Sequence, residues 1–152
     1  MSKERFNLEN KFEELKKKYL EKKNDEVIEE CNDILKKNKI DVFYNLLCLA
    51  HNNKGNFLEA INVMKNALKQ NPKNADFFNN IGMSYANIFK YKKAEDYYNQ
   101  GLEINKNNLN ILNNLANLKK DLDKSDEAVE LYKKILSKQP DAIAAMYNLA
   151  GL

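Results

Sequence analysis

The sequence predicts an all-α protein, a solenoid in which pairs of helices stack one on the next. The first observation is a fixed period of 34 residues, which separates position 44 from 78 and position 78 from 112. Four columns of apolar residues follow it: Tyr44, Phe78, Leu112 and Met146; Leu47, Ile81, Leu115 and Leu149; Ala60, Ala94 and Ala128; and Leu68, Leu102 and Leu136. Each period also contains two stretches whose apolar residues recur at three- and four-residue steps, the spacing of an amphipathic helix. A unit of this kind cannot bury its apolar face alone, so successive units stack.

The N-terminal stretch predicts two helices, at 8–22 and 24–38. The apolar residues at helical spacing are Phe12, Leu15 and Tyr19 in the first helix and Val27, Cys31, Ile34 and Leu35 in the second. This pair fits the repeating pattern one residue short. We therefore interpret residues 8–40 as a degenerate first repeat.

Three full repeats are predicted next, at 41–74, 75–108 and 109–142. Their helices are predicted at 41–53, 57–70, 75–88, 91–104, 109–121 and 125–138, and a last helix at 142–152. The apolar residues that predict them are, in chain order, Tyr44, Leu47 and Cys48; Ala60, Met64 and Ala67; Phe78, Ile81 and Tyr85; Tyr91, Ala94 and Tyr98; Leu112, Leu115 and Ala116; Ala128, Tyr132 and Leu136; and Ile143, Met146 and Leu149. Pro72 and Pro140 follow second helices, which a proline cannot continue. Residues 143–152 supply only the first helix of an incomplete repeat 5.

Small residues form two further columns, which predict close helix packing. They are Cys48, Gly82, Ala116 and Ala150 on the first helices and Ala60, Ala94 and Ala128 on the second helices. Small residues on facing helices let the backbones approach, while large neighbours fill the grooves between ridges. Cys31 and Cys48 fit no CxxC spacing and lie at apolar helical positions. We therefore expect both to be buried residues with free thiols.

The charge pattern argues against nucleic acid and membrane partners. The net charge is only +3, from 25 basic and 22 acidic residues that are interspersed along the chain. Lysine clusters such as 16–18 are therefore interpreted as solvated helix surface. No apolar run approaches the roughly 20 residues that cross a bilayer. The first residues lack the apolar core of a secretory signal, so a cytoplasmic location is expected.

The sequence offers no constellation of catalytic or metal-ligating residues. It contains one histidine and four serines, without a GxSxG motif or a phosphate-binding glycine loop. His51 lacks ligand partners in the sequence and is interpreted as a packed or half-exposed ring. Asp121 and Asp123 form a DxD sequence at the end of a helix, where a solvated turn is expected. We therefore predict that the chain is not an enzyme and uses no cofactor or metal.

The repeated unit resembles the tetratricopeptide repeat. The matching residues are Phe78, Ile81, Gly82, Tyr85, Ala94 and Tyr98 in the unit from Ala75; Tyr44, Leu47, Cys48, Gly55, Ala60, Met64, Ala67 and Pro72 in the unit from Asp41; and Leu112, Leu115, Ala116, Ala128, Tyr132, Leu136 and Pro140 in the unit from Leu109. His51 and Lys119 stand where the family pattern has an aromatic residue. The resemblance implies a right-handed superhelical solenoid of antiparallel helix pairs. It also implies that the first helices line a concave groove, which binds an extended peptide or a partner's helix.

The positions expected to face this groove are rich in asparagine. The candidate binding residues are Asn45, Leu49, Asn79, Asn80, Met83, Asn87, Asn113, Asn114, Asn117 and Asn148. A carboxamide has donors and an acceptor without charge, so a row of them can pair with peptide backbone. The row is similar to the asparagine ladder in the repeats of O-linked N-acetylglucosamine transferase, although Leu46 breaks it. Because 25 of the 152 residues are asparagine, compositional bias is the alternative explanation.

The expected function is a protein–protein interaction scaffold that binds an extended peptide or partner protein. A carboxylate clamp for the acidic tails of heat-shock chaperones needs cations on the first helices. The corresponding places hold Asn45, Leu49, Asn80, Asn110 and Asn114. A chaperone-tail adaptor is therefore rejected. Two alternatives are the substrate-recognition arm of a larger glycosyltransferase-like enzyme and self-association through the apolar helix 142–152.

Overall fold

The protein is built from α-helices throughout the part that the structure describes. The computed structural model describes residues 3–152, with side chains from Asn7 onwards. The helices are α1 (Lys3–Leu20), α2 (Asn24–Lys37), α3 (Asp41–Asn53), α4 (Phe57–Gln70), α5 (Ala75–Asn87), α6 (Tyr91–Ile104), α7 (Leu109–Asp121), α8 (Ser125–Lys138) and α9 (Ile143–Ala150). The predicted all-α fold is confirmed. None of these helices is long and apolar enough to span a membrane.

The helix ends differ from the prediction mainly at the two ends of the chain. Helix α1 begins at Lys3 instead of residue 8 and ends at Leu20, and α9 occupies Ile143–Ala150 instead of 142–152. Residues before Leu8 lack the apolar spacing on which the prediction depended. Lys22 adopts a φ of 61°, which is incompatible with continuing α1. Elsewhere the helices begin and end within one residue of the predicted positions.

The first compact unit extends to Pro72 and contains α1–α4. Its core holds Leu15, Val27, Cys31 and Phe43, all essentially inaccessible to solvent. Phe43 meets the ring of Phe12 edge-to-face, with the ring centroids 5.8 Å apart. Cys31 and Cys48 are buried and neither forms a disulfide, as predicted. Burial raises the pKa of the Cys31 thiol to about 12, so this cysteine is a core residue in its neutral form.

The second compact unit runs from Lys73 and contains α5–α9, with each helix packed on the next. Helices α5 and α7, the first helices of two consecutive repeats, also contact each other directly. The largest buried side chains here are Tyr98, Tyr132 and Phe77. At Gly82 the space left by the missing side chain is filled by the ring of Tyr98. The small residue at this position therefore accommodates the ring of Tyr98 between α5 and α6.

A residue in the left-handed conformation lies in each turn between the two helices of a pair. The residues are Lys22, Gly55, Phe89 and Asp123, with φ between 58° and 76°. The last three are spaced exactly one period apart in sequence, so the turn geometry repeats with the period. Glycine adopts this conformation without strain, and aspartate tolerates it better than most residues. Lys22 and Phe89 are neither glycine nor aspartate, and Phe89 is the bulky aromatic member of the series.

Candidate functional site

Asparagine side chains connect the first helices of the second unit to one another. The Nδ2 of Asn114 on α7 donates a hydrogen bond of 2.9 Å to the Oδ1 of Asn79 on α5. Asn79 is only 9% exposed, whereas Asn114 is half-buried. A buried carboxamide needs such a partner because leaving it unpaired costs free energy. The bond therefore fixes Asn79 and orients the carboxamide of Asn114.

A second group of hydrogen bonds joins α7 to α9. The Nδ2 of Asn148 donates to the Oδ1 of Asn117 over 3.2 Å, and the same oxygen accepts a 2.6 Å hydrogen bond from the hydroxyl of Tyr132. The ammonium of Lys120 donates to the Oδ1 of Asn148 over 3.2 Å. These contacts form one chain from the core tyrosine on α8 to a half-buried lysine. They hold Asn117 and Asn148 side by side.

The second-unit candidates that remain differ in exposure. Asn80, Met83 and Asn113 are half-buried, and Asn87 is exposed at the end of α5. We call the eight candidate residues of this unit the first-helix face: Asn79, Asn80, Met83, Asn87, Asn113, Asn114, Asn117 and Asn148. The structure brings Asn79 to Asn114 and Asn117 to Asn148.

The two candidates of the first unit lie on α3. Asn45 and Leu49 are both half-buried. Leu46, which interrupts the asparagine column in the sequence, is 4% exposed and belongs to the core of this unit. The asparagine column is therefore interrupted at this position by a core residue. An asparagine here would leave a carboxamide in an apolar environment.

Other asparagines cap the starts of helices. The sequence pattern did not distinguish this structural role from a role in binding. The Oδ1 of Asn74 accepts a hydrogen bond from the backbone N–H of Asp76, and Asn108 does the same for Ile111. Asn108 also donates to the Asp76 carboxylate over 3.0 Å. Asn74 and Asn108 are N-caps at the same place in consecutive repeats. An asparagine immediately before a predicted helix is the signal by which they could have been recognised.

Lys119 occupies the place of the family's aromatic residue and is the buried member of an ionic cluster. It is 5% exposed, and its ammonium lies 2.6 Å from Glu95 on α6 and 2.5 Å from Glu127 on α8. Burial alone lowers the pKa of Lys119, but the hydrogen bonds to Glu127 and Glu95 outweigh it and raise the pKa above its ordinary value. Lys119 therefore remains charged and joins the two second helices.

His51 is half-buried, as the sequence predicted, and its buried Nδ1 has no hydrogen-bond partner among the residues that the structure describes. Burial lowers the pKa of its imidazole, with Glu59 opposing this effect and Lys54 adding to it. The ring is therefore held in its neutral form near neutral pH.

The last helix presents apolar side chains to solvent. Ile143 is 77% exposed and Tyr147 is 81% exposed, while Ala145 is buried against the core of the second unit. Helix α9 is thus packed on one side by α8 and uncovered on another. This surface is the one on which the prediction of self-association depends.

Comparison with known proteins identifies the repeat. Models of the tetratricopeptide repeat match residues 75–108, and 40–74 together with 109–141. Comparison with curated protein sequences found no significant match. Among solved structures, TTC0263, a thermophilic TPR protein of Thermus thermophilus, is 22% identical and superposes with a TM-score of 0.81 over 90% of this chain and 76% of that chain.

Two further structures of similar fold contain bound peptides. The first TPR of Spaghetti (RPAP3) bound to an HSP90 peptide is 21% identical, with a TM-score of 0.64 over 68% of this chain and 82% of that chain. The second TPR domain of human RPAP3 in complex with an HSP70 peptide is 20% identical, with a TM-score of 0.64 over 71% and 90%. At these identities the likeness is one of fold. Because the family models match more than half of the sequence, the chain belongs to the tetratricopeptide repeat family.

Proposed function

We propose that this chain is a non-catalytic protein-interaction scaffold that binds an extended peptide, or an extended segment of a partner protein, on the first-helix face. The observation that carries the proposal is the pairing of Asn79 with Asn114 and of Asn117 with Asn148. It supports a single polar surface across α5, α7 and α9. Similar folds that hold peptides, such as the two RPAP3 domains, give further support.

The carboxamides have the chemistry that backbone recognition requires. A primary amide has two N–H donors and a carbonyl with two lone pairs, so Asn114 retains hydrogen-bonding capacity after donating one N–H to Asn79. An extended peptide presents N–H and C=O groups at regular intervals whatever its side chains are. We therefore propose recognition of backbone, with Met83 as an adaptable apolar contact. Asn45 and Leu49 are proposed to serve the same function on the first unit.

A chaperone tail is not the proposed ligand. The peptides bound by the two RPAP3 domains end in Glu-Glu-Val-Asp. The places expected to supply cations hold Asn45, Leu49, Asn80, Asn110 and Asn114. Uncharged side chains cannot neutralise a terminal carboxylate and its acidic neighbours. At the first-helix face, a peptide with this ending is therefore expected to bind no better than the same peptide with its acidic residues replaced by glutamine.

The proposal is tested with peptides selected against the whole chain by phage display and then measured by fluorescence anisotropy. Replacing Asn79, Asn80, Asn113 and Asn114 together with alanine is expected to weaken binding at least about tenfold, or roughly 1.4 kcal/mol. A matched control changes Asn32, Asn62, Asn66 and Asn99 to alanine, since all four are exposed on second helices. Equal affinity of wild type and the first variant would remove the asparagines from the binding surface.

The double variant Asn80→Ala with Asn113→Ala separates binding from folding. It leaves the Asn79–Asn114 hydrogen bond intact, so its unfolding midpoint in urea should fall less than that of the fourfold variant. We expect it to weaken binding by part of the effect of the fourfold change. If only the fourfold variant binds weakly, and it also unfolds earlier, the loss is due to destabilisation.

The sequence suggested two alternatives, the recognition arm of a larger transferase and self-association through the last helix. None of the comparisons supports a transferase, so we do not develop that alternative. Self-association remains a proposal that is supported by the exposure of Ile143 and Tyr147. It predicts a concentration-dependent mass in analytical ultracentrifugation that disappears on Met146→Glu with Leu149→Glu. The division into repeats and the cytoplasmic location also stay predictions.

A further inference from the structure

The turn between α5 and α6 contains an exposed aromatic residue in an unfavourable conformation. Phe89 has a φ of 60°, whereas Gly55 and Asp123 occupy the same place in the preceding and following repeats. A bulky residue in the left-handed region is an outlier, because its Cβ crowds the backbone. The side chain is also 76% exposed. Phe89 therefore combines backbone strain with little burial of its ring.

The start of α6 is unusually basic for a second helix. Its first turn contains Lys92 and Lys93 and has no acidic residue, whereas α2, α4 and α8 all have at least one there. Lys90 at its N-cap makes no side-chain hydrogen bond to the helix. Lysines close to the N-terminus oppose the helix dipole, and an anion at the same place is favoured. The lysines therefore weaken this end of α6, and a bound carboxylate would stabilise it.

The aromatic ring and the lysines surround one shallow recess. It is lined by Phe89, Lys90, Tyr91, Lys92, Lys93 and Asp96. The rings of Phe89 and Tyr91 meet edge-to-face with centroids 6.1 Å apart, which holds the exposed phenylalanine in place. The ammonium of Lys93 lies 5.5 Å from the centroid of the Tyr85 ring. The recess therefore offers an apolar floor surrounded by three lysines and one carboxylate, that of Asp96, which leaves a net positive charge.

We propose that this recess, which we call the Phe89 recess, docks an acidic peptide segment that bears an aliphatic side chain. The aliphatic group packs against Phe89 and Tyr91, and the carboxylates pair with the lysines and the backbone N–H groups that begin α6. Several locally unfavourable choices in one turn are typical of a functional site, since they persist only if another interaction compensates for them. The recess shares no residue with the first-helix face, although Asn87 precedes Phe89 by two positions, and it does not require the other asparagines of that face.

A peptide segment fits the charges better than an anionic membrane does. Asp126 and Glu127 take the places of Lys92 and Lys93 at the start of α8. Lys119 contacts both Glu95 on α6 and Glu127 on α8, so the two helix starts are neighbours. An anionic membrane would contact the acidic start of α8 together with the basic start of α6. Its repulsion from α8 would then offset its attraction to α6. A short segment needs only the Phe89 recess.

The test uses the fluorescein-labelled peptide Glu-Glu-Leu-Glu-Asp-Leu-Glu-Glu and the whole chain at low salt, measured by anisotropy. We expect wild type to bind it with a Kd below about 1 mM. A peptide with both leucines replaced by serine should bind at least about tenfold more weakly, and so should one with glutamine in place of the acidic residues. Failure of wild type to bind, or equal binding of the three peptides, overturns the proposal.

Substitutions locate the binding to this recess. Phe89→Gly, and Lys92→Glu with Lys93→Glu, should each raise the Kd at least about tenfold. Both should also keep or raise the melting temperature, because glycine relieves the strain and acidic residues suit the helix start. The matched control Lys133→Glu with Lys134→Glu makes the same charge change on exposed positions of α8 and should bind as wild type does. A lower melting temperature for Phe89→Gly refutes the strain on which the inference depends.

Two more measurements separate this surface from the alternatives. The first-helix-face variant with four alanines should still bind the acidic peptide, and its failure to do so while folded would contradict a separate site. Vesicles of phosphatidylserine and phosphatidylcholine should not retain the chain in a sedimentation assay. Binding to vesicles that disappears with Phe89→Gly, without binding of the peptide, would replace the proposed partner with a membrane.

Discussion

Replacing Gly82 with alanine should destabilise the protein, although the same change in most helices stabilises it. Alanine is favoured over glycine inside a helix by about 1 kcal/mol. Here, however, the new Cβ would lie 2.5 Å from Cε1 and 2.6 Å from Cδ1 of the Tyr98 ring. Ordinary carbon contacts are about 3.5–4.0 Å long, so the ring has to move by roughly 1 Å. Tyr98 is 2% exposed, so its ring is enclosed by neighbouring groups that would have to move with it. Overpacking of this kind costs about 1–3 kcal/mol or more.

The overpacking cost exceeds the gain in helix propensity, so the expected net effect of Gly82→Ala is a loss of up to about 2 kcal/mol in the free energy of unfolding. It is measured by urea denaturation followed by circular dichroism. Gly151→Ala is the control, because its nearest neighbours are 3.7 Å away, at ordinary contact distance. In a Tyr98→Leu background the clash is smaller, so the cost of Gly82→Ala should fall by at least about 0.5 kcal/mol. A stabilising effect, or the same cost in both backgrounds, would refute the packing argument.

Two further predictions concern the residues that replace the family's aromatic side chain. Lys119→Met should lower the free energy of unfolding by about 1–2 kcal/mol, as measured by urea denaturation. The loss is less than for a fully buried pair, because Glu127 is half-exposed and can rehydrate. Adding Glu95→Gln with Glu127→Gln should restore part of the loss. His51 has a pKa lowered by burial, so its contribution is complete above the unfolded-state pKa of 6.5 and declines as the pH falls below it. Stability should therefore decrease from pH 7 to pH 5.5 in wild type more than in His51→Phe, and parallel decreases in the two proteins would contradict the assignment.

The helices could be predicted from the sequence because two independent signals coincide. Apolar residues at helical spacing mark the buried faces, and residues such as Gly55 and Pro72 mark where helices stop. The end of α1 was predicted less accurately, because nothing in the sequence indicates the left-handed conformation that Lys22 adopts. Phe89 shows the same limitation. Only its alignment with Gly55, one period earlier, indicates the conformation of that turn.

The sequence period predicted which helix positions hold the candidate asparagines, but it did not predict which contacts their side chains make. The period assigned the asparagines to the first helices, yet it did not distinguish Asn108, an N-cap, from Asn114, which bridges two helices. Asparagine serves both purposes because the same carboxamide donates and accepts. Lys119 was recognised as a departure from the family pattern. Its partners Glu95 and Glu127 lie on two other helices, α6 and α8, and only the packing of three helices brings them together.

The asparagine pairs determine how a peptide can gain affinity from the first-helix face. Breaking the 2.9 Å hydrogen bond between Asn114 and Asn79 in order to bind a ligand exchanges one hydrogen bond for another, which contributes little net free energy. The gain has to come from the second N–H and the carbonyl of Asn114, whose direction the bond to Asn79 fixes. Such prior orientation reduces the entropy lost on binding. In the proposed binding mode Asn79 is a positioning residue: Asn79→Ala should weaken peptide binding even though this side chain is nearly buried, and it should do nothing further in a chain that already lacks Asn114.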